Sequence, residues 1–167
     1  MTNRPHAAVP TLIVLALAAG LAVPAVAQPT VAGDDLDDLM LVLEREYRLQ
    51  AIYDRAASDA GAGEPFATAR REQGRRLARL IALYQAHGLT VPANPWPARL
   101  APFAGRGAAC LAGFRGELAM GGLYADLADR TGRDELSAVY RAASGAPAWI
   151  EALRDCALAT GAAAAAR

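Results

Sequence analysis

The sequence predicts an all-α protein, an antiparallel four-helix bundle with a long Pro-rich crossover between helices 2 and 3. Three observations carry this. Strand signals are almost missing: there is no alternating β-branched run and no Asn-Gly hairpin turn. Apolar residues recur with helical spacing in four segments. The second and third of these are separated by a stretch holding Pro92, Pro95, Pro97 and Pro102. Short links elsewhere and one long link there define an up-and-down bundle with a single crossover.

The N-terminus reads MTNRPHAAVPTLIVLALAAGLAVPAVAQPT. A cationic Arg4 precedes an apolar run from Val9 to Val23, and Ala25-Val26-Ala27 supplies small residues before Gln28. This is the pattern of a secretory signal peptide over 1–27, cleaved between Ala27 and Gln28; the apolar run is short for a membrane anchor. The expected mature protein is periplasmic or secreted. It has 140 residues, Gln28 to Arg167, enough for one domain with a real core. The bundle is expected over 28–160, with a disordered Ala-rich tail at 161–167.

The mature portion holds 16 arginines, no lysine and 17 acidic residues, a formal charge of 16 − 17 = −1. Near-neutral charge argues against nucleic acid as the main partner. No second long apolar segment follows the leader, so no membrane association is expected after cleavage. The partner is not legible, and a homo-oligomer stays open.

Helix 1 is expected from about Asp35 to Ala57, capped by Asp34 or Asp35, with an acidic first turn suited to the helix dipole. At 100° per residue Leu36, Leu39, Met40, Val42, Leu43, Tyr47, Leu49 and Tyr53 share one arc. Glu46 falls inside it, an expensive place for a carboxylate without a partner. Helix 2 is expected from Pro65, at its first position, to about His87, with Gly88 as the stop. Gln73 sits near the middle of its apolar arc and Glu72 at the edge. Arg71, Arg75 and Arg79 line the opposite side, where a solvated face is the simplest reading.

Trp96 and Phe103 are apolar anchors that mark the proline-rich segment as an ordered crossover rather than a loose linker. Helix 3 is expected over about Ala108 to Arg130. Its arc reads Cys110, Leu111, Phe114, Leu118, Gly121, Ala125 and Ala128, with Glu117 and Tyr124 at its edge and Gly121 allowing a neighbour to approach. Thr131-Gly132 ends it, and Asp134 is placed to cap a fourth helical region. That region breaks near Ser144-Gly145 and restarts around Pro147. Cys110 lies 22 residues before Gly132 and Cys156 lies 24 after it, at similar heights on two neighbouring helices. In an oxidising compartment the pair reads as a disulfide, and no CxxC motif suggests thiol catalysis.

Three short segments carry a further signal: "EREYRLQAIY" (Glu44 to Tyr53), "REQGRR" (Arg71 to Arg76) and "SGAPAW" (Ser144 to Trp149), the last preceded by "VYRAA". They resemble the first-helix E-E-E-K-L-A-R-D-V-Y, the S-E-Q-x-H and the late S-x-x-H-L motifs of the exported and archaeal ferritin-like proteins of a domain-of-unknown-function family. The resemblance spans about Leu36 to Leu153. It implies a ferritin-like bundle. Glu44 or Glu46 matches the first-helix acidic position and Glu72 the second-helix glutamate. The third-helix acidic position falls nearest Met120, with Glu117 one turn away.

The departures matter more. Where the family has its second-helix histidine this chain has Arg75, and where it has the fourth-helix histidine this chain has Pro147. A guanidinium cannot ligate a metal, and proline offers no ligand. Dinuclear carboxylate centres need Glu-x-x-His pairs, and the mature portion holds only His87, in no such pair. The candidate metal residues are therefore vestigial: Glu46, Glu72 and Glu117. The expectation is a non-catalytic binding or structural protein with no cofactor. The alternative is an iron- or manganese-binding oxidoreductase using those carboxylates alone. For Glu72 the simpler reading is ion pairing with Arg75 and Arg76 on its own helix. For Glu46 it is a salt bridge to an arginine of another helix, such as Arg76. One histidine allows no Ser/His/Asp set, no P-loop is present, and Met40 and Met120 read as core residues rather than copper ligands.

Overall fold

Helix α1 (Asp34–Ala60) is the spine of the molecule. Its buried side chains include Leu39, Val42, Leu43, Glu46, Tyr47, Leu49, Tyr53 and Ala56. The steps of three and four keep one broad face against the core. Asp34, Asp35 and Asp37 sit in the first turn, where carboxylates complement the dipole, but no side chain caps the helix. Instead Asp35 accepts hydrogen bonds from Thr131 Oγ1 at 2.7 Å and Arg133 Nε at 3.1 Å. Gly61, at φ 87°, ends α1 in a backbone conformation that favours glycine.

A computed structural model describes residues 31, 33–61, 63–145 and 148–165. The expected signal peptide, its Ala27–Gln28 cleavage site and Pro147 lie outside the described residues. Among those described there are five α-helices and no strand. After α1 come α2 (Phe66–Ala86), a single 3-10 turn (Trp96–Ala98), α3 (Arg106–Arg130), α4 (Asp134–Ala143) and α5 (Ala148–Ala165). The all-α expectation holds. The fourth helical region is two helices, parted at Ser144-Gly145 where the sequence placed the interruption. Helix also continues to Ala165, into the tail that its composition had marked as disordered.

Helix α2 closes on a two-bond motif. Leu89 N–H reaches Tyr84 O at 2.9 Å, and Gly88 N–H reaches Gln85 O at 3.0 Å. Gly88 supplies the positive φ of 67° that this ending needs. The segment that follows is pinned along α1. Tyr47 Oη donates to Pro92 O, Trp96 Nε1 to Glu44, Arg55 to Leu100 O, and Phe103 N–H to Asp59. From Trp96 to Phe103 its partners advance along α1 from Glu44 through Arg55 to Asp59.

Helices α2 and α3 both pack on α1, while α4 and α5 pack on α3. Among the described residues, the α3–α5 contact is the most extensive between two helices. Cys110 and Cys156 are joined by a disulfide with their Cα atoms 5.9 Å apart. A Cβ on Gly113 would lie 3.1 Å from the Tyr53 ring and 3.3 Å from Leu153, so glycine is what admits α1 and α5 there. Gly121, expected to serve this purpose, has only Ser144 O within ordinary contact.

The inward face of α3 differs from the expected one. Its buried residues are Ala109, Cys110, Gly113, Glu117, Met120, Tyr124, Leu127 and Ala128, whereas Leu118 is 52% exposed and Leu111 is also exposed. Glu117 and Tyr124, placed at the edge of the arc by apolar count, lie on the buried face. That face is made partly of small and polar residues, so hydrophobicity alone points to the wrong side. Met40 needs the same correction: it is 53% exposed, while Met120 is buried as expected.

Candidate functional site

Five polar or charged residues are buried among the described residues: Glu46, Gln73, Arg76, His87 and Glu117. Four of them form one network at the centre, where α1, α2 and α3 meet. Glu46 is fully buried, Glu117 is 2% exposed and Arg76 is 9% exposed. Arg76 projects from α2 between the two carboxylates. Its Nε donates to Glu46 Oε1 at 2.9 Å, and its Nη2 donates to Glu117 Oε1 at 3.1 Å and lies 2.9 Å from Oε2 as an ion pair.

Neutral donors complete the shell. Tyr124 Oη donates to Glu46 Oε1 at 2.8 Å, and Tyr53 Oη donates to Glu117 Oε1 at 2.7 Å. Gln73 Nε2 donates to Glu46 Oε2 at 3.1 Å and also to the Glu46 carbonyl at 3.0 Å. Both oxygens of Glu46 and Oε1 of Glu117 thus have donors, and Glu117 Oε2 is ion-paired with Arg76. The Arg76 guanidinium carbon lies 5.8 Å from the centre of the Trp149 ring, a cation–π contact from α5.

The titration behaviour follows from this geometry. Burial alone would lower the Arg76 pKa, but the charges of Glu46 and Glu117 and their hydrogen bonds outweigh it, so the guanidinium is held above its ordinary value. Tyr53 is pushed up first by burial and then by the charge of Glu117. Tyr124 is pushed up first by burial and then by the charge of Glu46. Both phenols stay protonated and act as donors. Two carboxylates against one guanidinium leave the network with a formal charge of −1, spread over groups that are all hydrogen-bonded. One acceptor in it is left over: Gln73 Oε1 is buried and has no hydrogen-bond partner among the described residues.

Of the three carboxylates singled out in the sequence, the fold brings Glu46 and Glu117 together and leaves Glu72 out. Glu72 lies at the surface of α2, where Arg75 Nη1 donates to both its oxygens at 2.6 and 2.7 Å. That hydrogen bond is the main reason its carboxyl titrates below the ordinary range. Arg75, which stands where the resemblance expects a histidine, is exposed and occupied with Glu72 rather than with the core. Arg76, read as a second partner for Glu72, turns inward instead. His87 lies apart from the network, with its Nε2 3.3 Å from Glu135 Oε2.

Sequence reasoning identified Glu46 and its pairing with Arg76. It noted Gln73 on the apolar arc but gave it no role, and it missed the roles of Tyr53 and Tyr124. Their signal was present, since a tyrosine on a core-facing arc brings a hydroxyl that needs a partner.

The dinuclear centre implied by the resemblance does not fit these residues. The space between Glu46 and Glu117 is filled by a guanidinium, Glu72 faces outward, and no histidine is near. Among the described residues no group of three or more His, Cys, Asp or Glu side chains is placed to hold a metal ion. Among them, too, no helix is long and apolar enough to cross a membrane. No family model, no curated protein and no solved structure matches this chain.

Proposed function

We propose that this chain is an exported, ferritin-like helical protein of the periplasm or the extracellular space, non-catalytic, with a binding or structural role. In this reading α4 and α5 together serve as the fourth helix of an antiparallel bundle, and the proline-rich segment 89–105 is its crossover. A salt-bridged network stands where related bundles would hold two metal ions. One observation supports the reading above the others: Arg76 bonds to both Glu46 and Glu117, using the carboxylates that a dinuclear site would need. A fixed cation there satisfies the glutamates electrostatically and opposes entry of a second cation. A disulfide between α3 and α5 suits an oxidising compartment.

Elemental analysis of the protein purified without chelator tests this. The expected result is no stoichiometric iron or manganese. One or two equivalents of either metal, lost on Glu46→Gln, would replace this reading with that of a metal-dependent oxidoreductase.

A further inference from the structure

A second feature, away from the buried network and sharing no residue with it, is a groove between α1 and α3. It encloses about 630 Å³. Leu41 from α1, with Ala112, Ala119 and Leu123 from α3, supply its accessible apolar surface, over a buried floor of Leu49, Ile52 and Met120. Ala112, Gly116 and Ala119 keep the α3 side low. A Cβ on Gly116 would lie 2.7 Å from Leu49 Cδ1, so a larger residue there would have to displace the end of the Leu49 side chain.

The charged residues lining this groove are all arginines: Arg45, Arg48 and Arg115. Arg48 lies over the Trp96 ring, its guanidinium carbon 5.2 Å from the ring centre. Arg45 makes only a solvent-exposed contact with Glu44 at 3.5 Å, and such pairs contribute little. Arg115 has no ion pair among the described residues. Leu41, at the α1 end, and Leu118, nearby on α3, are exposed large apolar side chains.

The combination of an apolar trough with a cationic rim selects an occupant that is both aliphatic and anionic. We propose that the α1–α3 groove binds a single-chain amphiphile with an anionic head group. The chain lies along Leu41, Ala112, Ala119 and Leu123, and the head is met by Arg45 and Arg115. The volume falls within the range of small-molecule sites, roughly 300–1,000 Å³. From Leu41 to Ile52 the α1 wall is about 16 Å long at 1.5 Å per residue, short for the footprint of a protein partner. A second copy of this chain is disfavoured by charge, because a two-fold contact on this face would set its arginines against their own copies. The head-group chemistry is shared by fatty carboxylates and by single-chain phosphates.

Calorimetric titration of the full-chain expression product with dodecanoate, dodecyl phosphate and uncharged dodecanol, each below its aggregation limit, tests the proposal. Saturable one-to-one binding is expected for at least one anion and not for dodecanol. Comparison of the two anions separates the carboxylate from the phosphate source. The double variant Arg45→Gln/Arg115→Gln is expected to weaken anion binding by about tenfold or more, as for the loss of charge-assisted hydrogen bonds. Circular dichroism of that variant should be unchanged, because both arginines are on the surface. Three outcomes would overturn the proposal: equal binding of dodecanol and the anions, unaltered affinity in the double variant, or no binding of any probe. A dimer in light scattering, abolished by Leu118→Glu while no probe binds, would reassign the face to self-association.

Discussion

Arg76 Nε and Glu46 Oε1 lie 2.9 Å apart, one on α2 and the other on α1, both within the core. The pair is not isolated, since the same guanidinium also holds Glu117 on α3. Three helices are therefore tied through one side chain.

Replacing Arg76 by Met removes the cation and leaves two buried carboxylates facing each other. The expected loss is about 3–5 kcal/mol at neutral pH, the usual cost of breaking a buried pair from one side. Urea denaturation monitored by circular dichroism reads it. Adding Glu46→Gln and Glu117→Gln to the same chain should recover much of the loss, because no unpaired charge then remains. An unchanged denaturation midpoint for Arg76→Met would show that the carboxylates find other partners.

Four buried phenols make stability sensitive to alkali. Tyr53, Tyr124 and Tyr140 are all raised above the ordinary value of 10.0, and Tyr84 is pushed up to about 12, with burial the first cause in each. A folded-state pKa above the unfolded one favours the native state fully below the unfolded value. That contribution is lost as pH rises above about 10, because the unfolded chain ionises first. The denaturation midpoint should therefore fall between about pH 9 and about pH 11. Tyrosinate absorbance of the native protein should lag behind that of the denatured chain. A flat midpoint, or phenols that ionise together in both states, would contradict the burial of these hydroxyls.

The Cys110–Cys156 bridge joins residues 46 apart in sequence. Intact mass should rise by two hydrogens on reduction. Stability should then drop by roughly 2–4 kcal/mol, the expected effect of releasing a loop of this size. A mass unaffected by reductant would mean that the thiols are free.

The sequence located α1, α2 and α3 to within a few residues because apolar spacing and glycine or proline breaks agree there. Gly88 and the Ala60–Gly63 stretch mark ends that the backbone also marks. The inward face of α3 was less legible. Its buried positions include Gly113, Glu117 and Tyr124, so an apolar count is drawn to Leu111 and Leu118, which are exposed. Met40 was misread for a related reason, because a residue at the margin of a broad arc is decided by where the neighbouring helix ends. Glu46 stood out as a carboxylate among leucines, and its need for a partner led to Arg76. Glu72 was grouped with it on the strength of a motif, yet the fold gives Glu72 to solvent and to Arg75. Of the adjacent arginines, helical spacing sets Arg75 on the outward side with Arg71 and Arg79, and Arg76 is the one that turns inward. What spacing does not give is that Arg76 also reaches Glu117, which depends on where α3 packs.

The segment from Trp96 to Phe103 keeps pace with α1, its partners moving from Glu44 to Asp59. Arg76 meanwhile fixes α2 and α3 to the same helix at Glu46 and Glu117. A slide of α2 by one turn, about 5.4 Å, would carry Arg76 out of reach of both carboxylates and strand three charges in a dry interior. Alignment along the helix axes is thus a matter of charge address: one cation can occupy one position only, and the helices must arrive there together.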